Sequence, residues 1–147
     1  MSKTSQDWFT PKNTEKYVGN KKPRYRSSWE LNIMMMLDSN PNILKWASES
    51  MQIPYYDPIK QRNTFYVPDF FVQYMNKNNK IINEIWEIKP AKFQLLEKVG
   101  KNKHNQVQYI KNQAKWQAAQ VYCKQHGIVF RVLNENDIFH NPKPKKR

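Results

Sequence analysis

The run Thr64-Phe65-Tyr66-Val67-Pro68-Asp69-Phe70-Phe71-Val72-Gln73-Tyr74-Met75, the polar stretch Asn76-Lys77-Asn78-Asn79-Lys80 and the run Ile81-Ile82-Asn83-Glu84-Ile85-Trp86-Glu87-Ile88-Lys89-Pro90 decide the fold. Both runs are rich in β-branched and aromatic residues, and two such runs around a short polar turn predict a β-hairpin. Pro68 marks the start of the first strand or a bend in it, and Pro90 ends the second, because proline offers no ladder N–H. Side chains alternate across a strand. Asp69, Phe71 and Gln73 therefore share one face, with Phe70, Val72 and Tyr74 on the other. On the second strand Ile85, Glu87 and Lys89 share a face opposite Trp86 and Ile88. Antiparallel pairing then sets Asp69 beside Glu87 and Lys89, so two carboxylates and an amine converge near one end of the sheet.

Upstream, Ser27 followed three residues later by Glu30 matches a capping box, and helix formers follow to Leu37. Apolar residues cover more than one face of this helix, so a buried helix is expected, with Met34-Met35-Met36 as core. It should stop near Asp38-Ser39-Asn40, because Pro41 disfavours helical geometry in the residue before it. Met51 to Tyr56, interrupted by Pro54, reads as a short edge strand. Downstream, Lys103 to His126 predicts a long helix. Val107, Ile110, Ala114, Ala118 and Val121 form its apolar stripe, widened by Trp116, Ala119 and Cys123. Gly127 suits a left-handed cap, and Ile128 to Leu133 reads as a strand. This order predicts an α/β fold, a small mixed sheet flanked by helices. The expected division is a basic N-terminal arm over 1–24, one domain over 25–140 and a basic tail over 141–147.

A chain of 147 residues with 25 Lys and Arg against 12 Asp and Glu carries a formal charge of +13, which points to a polyanionic partner. An aromatic fraction of 14% argues against global disorder. The single Cys123 excludes a disulfide scaffold and a cysteine-rich zinc site, and fits a reducing, soluble compartment. Neither a membrane-length apolar stretch nor the apolar core of a secretory signal is visible, so no membrane partner is expected. Glycine occurs only at Gly19, Gly100 and Gly127, with no Gly-rich phosphate loop, which leaves a kinase or ATPase without support. His104, His126 and His140 lack close metal-ligand spacing, and Ser27 and Ser28 look like caps rather than triad nucleophiles.

The ordered blocks Tyr25-Arg26-Ser27-Ser28-Trp29-Glu30, Asn40-Pro41, Tyr66-Val67-Pro68-Asp69-Phe70 and Glu84-Ile85-Trp86-Glu87-Ile88-Lys89-Pro90 together resemble the restriction-endonuclease-like, or PD-(D/E)XK, superfamily. The resemblance covers roughly Tyr25 to Leu133. Within the superfamily it points to the endonuclease domain of Tn7-related transposases and to the head completion nucleases of contractile-tailed bacteriophages. It implies Glu30, Asp69 and Glu87 as acidic catalytic and metal-binding residues, Lys89 as the catalytic lysine, and DNA phosphodiester hydrolysis with Mg²⁺, or Mn²⁺ in its place. The phage relatives imply portal or neck proteins as partners, and a place in the host cytoplasm during virion assembly or on the virion. Endonuclease and exonuclease action, and the oligomeric state, stay open.

Plainer roles stand beside these. Glu30 can be only a cap, Asp69 a strand-start acid, and Glu87 with Lys89 a cross-strand ion pair. Glu84, on the opposite face from Glu87, reads as exposed or as support for another charge, while Asp38 and Asp57 read as structural. Arg24, Arg26, Arg62, Lys92, Lys111 and Lys115 are the DNA-binding candidates, Lys111 and Lys115 being placed on the polar side of the long helix. A noncatalytic DNA-binding head protein and a transposition endonuclease subunit are the rival readings.

Overall fold

Strands β6 (Phe70–Met75) and β7 (Ile81–Ile88) form the hairpin at the centre of a four-stranded sheet ordered β3-β6-β7-β8. This arrangement comes from a computed structural model that describes residues 7–95 and 99–139. Strand β3 (Ile43–Ser48) pairs antiparallel with β6, and β8 (Val129–Leu133) pairs parallel with β7. Helix α2 (Lys103–Gln125) makes the crossover that a parallel pair requires. Helix α1 (Ser28–Ser39) covers one face of the sheet and α2 the other.

Alternation along the hairpin fills both layers. Phe70 and Val72 pack with Ile33, Met34, Leu37, Ile43 and Trp46 on the α1 side. Ile85 and Phe71 pack with Trp116, Ala119, Cys123 and Phe130 on the α2 side. The observed pairs Phe70↔Trp86 and Phe71↔Ile85 agree with the faces expected from the two-residue period.

The structure corrects several expectations. Thr64 to Met75 is not one strand. Its first part belongs to β5 (Arg62–Tyr66), which pairs with β4 (Ile53–Asp57) in a separate two-stranded ribbon on α2. Pro68 cannot continue a ladder, so residues 67–69 carry the chain from the ribbon into the main sheet. Pro54 is tolerated because the ribbon has free edges. Strand β3 was not expected. Lys45 breaks its apolar run, and its burial comes from layers far away in sequence. The short helix α3 (Glu135–Phe139) was also unforeseen.

The buried line of α2 is Asn112, Trp116, Ala119 and Cys123, whereas Ile110 and Val121 are exposed. Apolar residues lie on both sides of this helix, so periodicity alone does not choose; bulky Trp116 and small Ala119 seat the buried side. On α1, Met34 is core but Met35 and Met36 face outward, at 53% and 39% exposure.

Residues of the basic arm are tied to the domain. Strand β1 (Asp7–Trp8) pairs with β2 (Arg24–Tyr25). Buried Asp38 accepts from the amides of Lys12 and Asn13, at 3.0 Å each. Lys16 Nζ donates to the carbonyls of Leu37, Asp38 and Asn40, placing positive charge at the C-terminal end of α1. Residues 1–6 of the arm, Lys98, His140 and the 141–147 tail lie outside the described residues.

Candidate active site

Asp69 stands where the chain leaves the ribbon and begins β6. Extending the β6–β7 register by one step puts it opposite Glu87. Its Oδ2 accepts from the Ile88 amide at 2.8 Å, and its carbonyl accepts from the Glu49 amide at 3.0 Å. Glu87 faces α2, where Oε1 accepts the buried Tyr66 hydroxyl at 2.6 Å. Lys89 lies two residues on, past the end of β7, and its amide bonds the Leu133 carbonyl of β8 at 2.9 Å. Lys115 reaches in from α2, its Nζ 5.7 Å from the centre of the Tyr66 ring.

Glu30 occupies the first turn of α1. Its amide donates to Ser27 Oγ at 3.2 Å and its carboxylate accepts from the Arg26 amide at 2.8 Å. The capping role is therefore real, and it coexists with an electrostatic one, since the Glu30 charge acts on Asp69. Glu49 is a fourth acid at this end of the sheet, ion-paired with Arg26. Its φ of 50° is left-handed, a strained geometry for a residue with a side chain, and its amide is held by the Asp69 carbonyl.

The electrostatics show too much negative charge in too little solvent. Burial raises the Asp69 pKa well above the carboxylate range, and the Glu87 charge raises it further against the Ile88 amide. Burial likewise raises Glu87, although the Tyr66 hydroxyl, Lys89 and Lys115 all oppose the shift. Burial raises Glu30 against the pull of Arg26. Tyr66 is raised strongly, by burial and by its bond to a carboxylate, so it stays protonated as a donor. Lys115 is lowered by its own burial.

This donor set can hold one hard divalent cation. Two adjacent carboxylates with raised pKa values lack the positive charge that would satisfy both, and a divalent ion supplies it. Among the described residues no three of Asp, Glu, His and Cys gather into a site of protein ligands alone. Mg²⁺ commonly takes one or two carboxylates and fills its shell with water and phosphate. Asp69 and Glu87 fit the ligand role on that basis, and the Glu30 charge acts on Asp69.

Glu84 is the contrasting acid: of its two expected readings, exposure is corrected and support for another charge, that of Arg131, is borne out. It is buried on the face opposite Glu87 and accepts Tyr74 Oη, Trp86 Nε1 and Arg131 Nε at 2.7–2.8 Å. Burial pushes its pKa up, but Arg131, Trp86 and Tyr74 together hold it below the usual range.

The basic candidates divide. Arg24 is exposed and stacks over Trp8, Arg62 is exposed at the start of β5, and Lys92 is exposed over Phe93. Arg26 is exposed but shared with Glu49. Lys111 lies 3.6 Å from Asp57 Oδ2, and with Lys115 it is turned toward the ribbon rather than onto a free polar side. Asp57 also accepts the Ile59 and Lys60 amides, as expected of a turn residue. Sequence reasoning gave no role to Tyr66 or Glu49. Tyr66 sat in a quoted block, and only the break at Pro68 would have turned it toward Glu87. No local signal marks Glu49, because β3 itself was not legible.

Residues 40–135 match the family described as TnsA-like endonuclease N terminal. The chain belongs to the TnsA-like endonuclease family. Its mixed sheet between helices is the restriction-endonuclease-like fold. This TnsA-like chain is also 34% identical over 140 residues to the head completion nuclease of Enterobacteria phage T4, covering 88% of this chain and 91% of that protein. The family match contains Asp69, Glu87 and Lys89, and the Glu30 block lies before it.

Proposed function

We propose that this protein is a divalent-metal-dependent DNA nuclease acting in phage head completion. The juxtaposition of Asp69 and Glu87 carries the reading: two half-buried, undercompensated carboxylates in a chain of net charge +13 that belongs to an endonuclease family. Asp69 and Glu87 hold Mg²⁺ or Mn²⁺, and Glu30 supports the shell. When bound, the ion neutralises phosphate charge and lowers the pKa of a water ligand. Tyr66 fixes the Glu87 carboxylate through its hydroxyl. Lys89 orients the attacking water or stabilises phosphate charge, and Lys115 adds a second positive charge on the Glu87 side. Arg24, Arg26, Arg62 and Lys92 contact DNA phosphates, which positions a duplex without specifying bases.

Similarity to the T4 protein over nearly its whole length supports head completion rather than transposition. Portal or neck proteins are then the partners, in the host cytoplasm during assembly or on the virion. The test uses linear and closed-circular DNA with Mg²⁺ or excess chelator, comparing the natural chain with Asp69→Ala and Glu87→Ala. Cutting only by the natural chain, and only with metal, is expected. Equal cutting by all three overturns the site; binding without cutting by all three favours a noncatalytic DNA-binding role.

A further inference from the structure

A cavity of about 140 Å³ opens directly beside Lys89, lined by Lys89, Phe93, Asn105, Gln108, Tyr109 and Asn112. Three observations make it more than a surface dent. Asn112 is only 7% exposed, and it lines the cavity wall. An amide in such a wall offers a donor and an acceptor that water or a ligand in the cavity can complete. Asn105, Gln108, Tyr109 and Asn112 also fall at helical spacing on one side of α2, so two further side-chain amides and an aromatic ring line the same wall. The wall contributed by Phe93 is fixed. Pro90 starts a tight 3₁₀ turn, the Phe93 amide donates to the Pro90 carbonyl at 3.0 Å, and Gln94 Nε2 donates to the Lys89 carbonyl at 2.9 Å.

We propose that this cavity takes one unpaired nucleobase of the DNA strand whose phosphate lies at the Asp69–Glu87 site. The proposal rests on the nuclease reading above and adds a substrate preference to it. Side-chain amides present a donor and an acceptor together, the complement of a base edge. Aromatic rings offer stacking surfaces for the base face, as in enzymes that draw a base out of its stack. The space admits a single ring system, so an occupant base has left its pairing partner. Lys89 joins cavity to site, which links an unpaired base to the phosphate beside it. The substrates favoured are single strands, gaps, flaps and frayed ends.

The test separates this inference from the nuclease reading. Single-stranded oligonucleotides carrying one 2-aminopurine at successive positions are bound to the full chain in excess chelator, where no cutting occurs. A dye at the far end reports binding by anisotropy. One position should change its fluorescence on binding to the natural chain. Asn112→Leu, which fills the space with a side chain of similar size, should remove that change while anisotropy still reports a bound strand. Tyr109→Ala, at a part-exposed position, is the second variant, and melting curves establish that both fold. With Mg²⁺, the natural preference for unpaired over paired substrate should fall roughly tenfold in Tyr109→Ala, the scale of one base–aromatic stack. An unchanged probe on a bound strand, or a probe signal that survives both substitutions, overturns the cavity proposal while duplex cutting leaves the nuclease intact. Failure to bind the strand together with failure to cut duplex overturns both.

Discussion

Glu84 and Glu87 lie three residues apart on β7 and meet opposite fates. Glu84 faces the α1 side and receives a phenol, an indole and a guanidinium, so its pKa lies below the usual range despite burial. Glu87 faces the α2 side beside Asp69, and its pKa is raised although a tyrosine and two lysines oppose the shift. The strand thus carries one acid whose charge the fold satisfies and one whose charge it leaves wanting. Satisfied charge serves stability. Unsatisfied charge carries a cost the rest of the fold must offset.

The widest separation between these acids should appear in activity. Asp69→Asn or Glu87→Gln should reduce Mg²⁺-dependent cleavage by at least about 1,000-fold, since metal-centred charge stabilisation is worth several kcal/mol. Lys89→Ala should cost less, about 100-fold, the scale of one lost charge-stabilising donor. Single-turnover cleavage assays measure both, and near-natural rates in Asp69→Asn would break the comparison.

In stability the order reverses. Glu84→Ala strands the donors of Tyr74, Trp86 and Arg131 and should lower unfolding free energy by about 3 kcal/mol, read from the urea midpoint. Asp57→Asn should also destabilise, by less, because the Ile59 and Lys60 amides keep an acceptor while the charge opposite Lys111 is lost.

The pH dependence sharpens the contrast. Glu84 and Asp57 have lowered pKa values, so their stabilisation is present above the unfolded carboxylate pKa and is lost as pH falls through the folded values. Asp69, Glu87 and Glu30 have raised values, so they favour the fold below the unfolded pKa, and that contribution disappears as pH rises through the folded ones. In chelator, Tm should therefore fall as pH rises from the unfolded carboxylate pKa through the raised folded values, and level off above them. Mg²⁺ should reduce that fall. A fall of equal size in Asp69→Asn would assign it elsewhere.

How far the sequence could be read follows the same division. Strand faces around Asp69 and Glu87 were legible because two-residue alternation is local and strong over Phe70 to Ile88. The capping box at Ser27 and Glu30 was legible for the same reason. Strand β3, the ribbon partnership of β5 and the true buried side of α2 were not. Each depends on what packs against it: Trp46 is buried by α1 and the arm, Tyr66 by α2, and Ile110 is left outside by the seating of Trp116. Lys89 was found by its spacing from Glu87, and its place at the end of β7 followed from Pro90. Glu49 was invisible, since its role arises from a left-handed turn beside Asp69 rather than from any neighbouring motif.

The central claim is that Asp69 and Glu87 are left undercompensated so that a divalent cation can complete them. Its most direct measurement is the Tm of the natural chain and of Asp69→Asn across a Mn²⁺ titration at constant pH above neutrality. The natural chain should melt below the variant in chelator and rise with Mn²⁺, while Asp69→Asn stays flat. Equal Mn²⁺-dependent rises in both proteins, or a natural chain that does not respond to Mn²⁺, would contradict it.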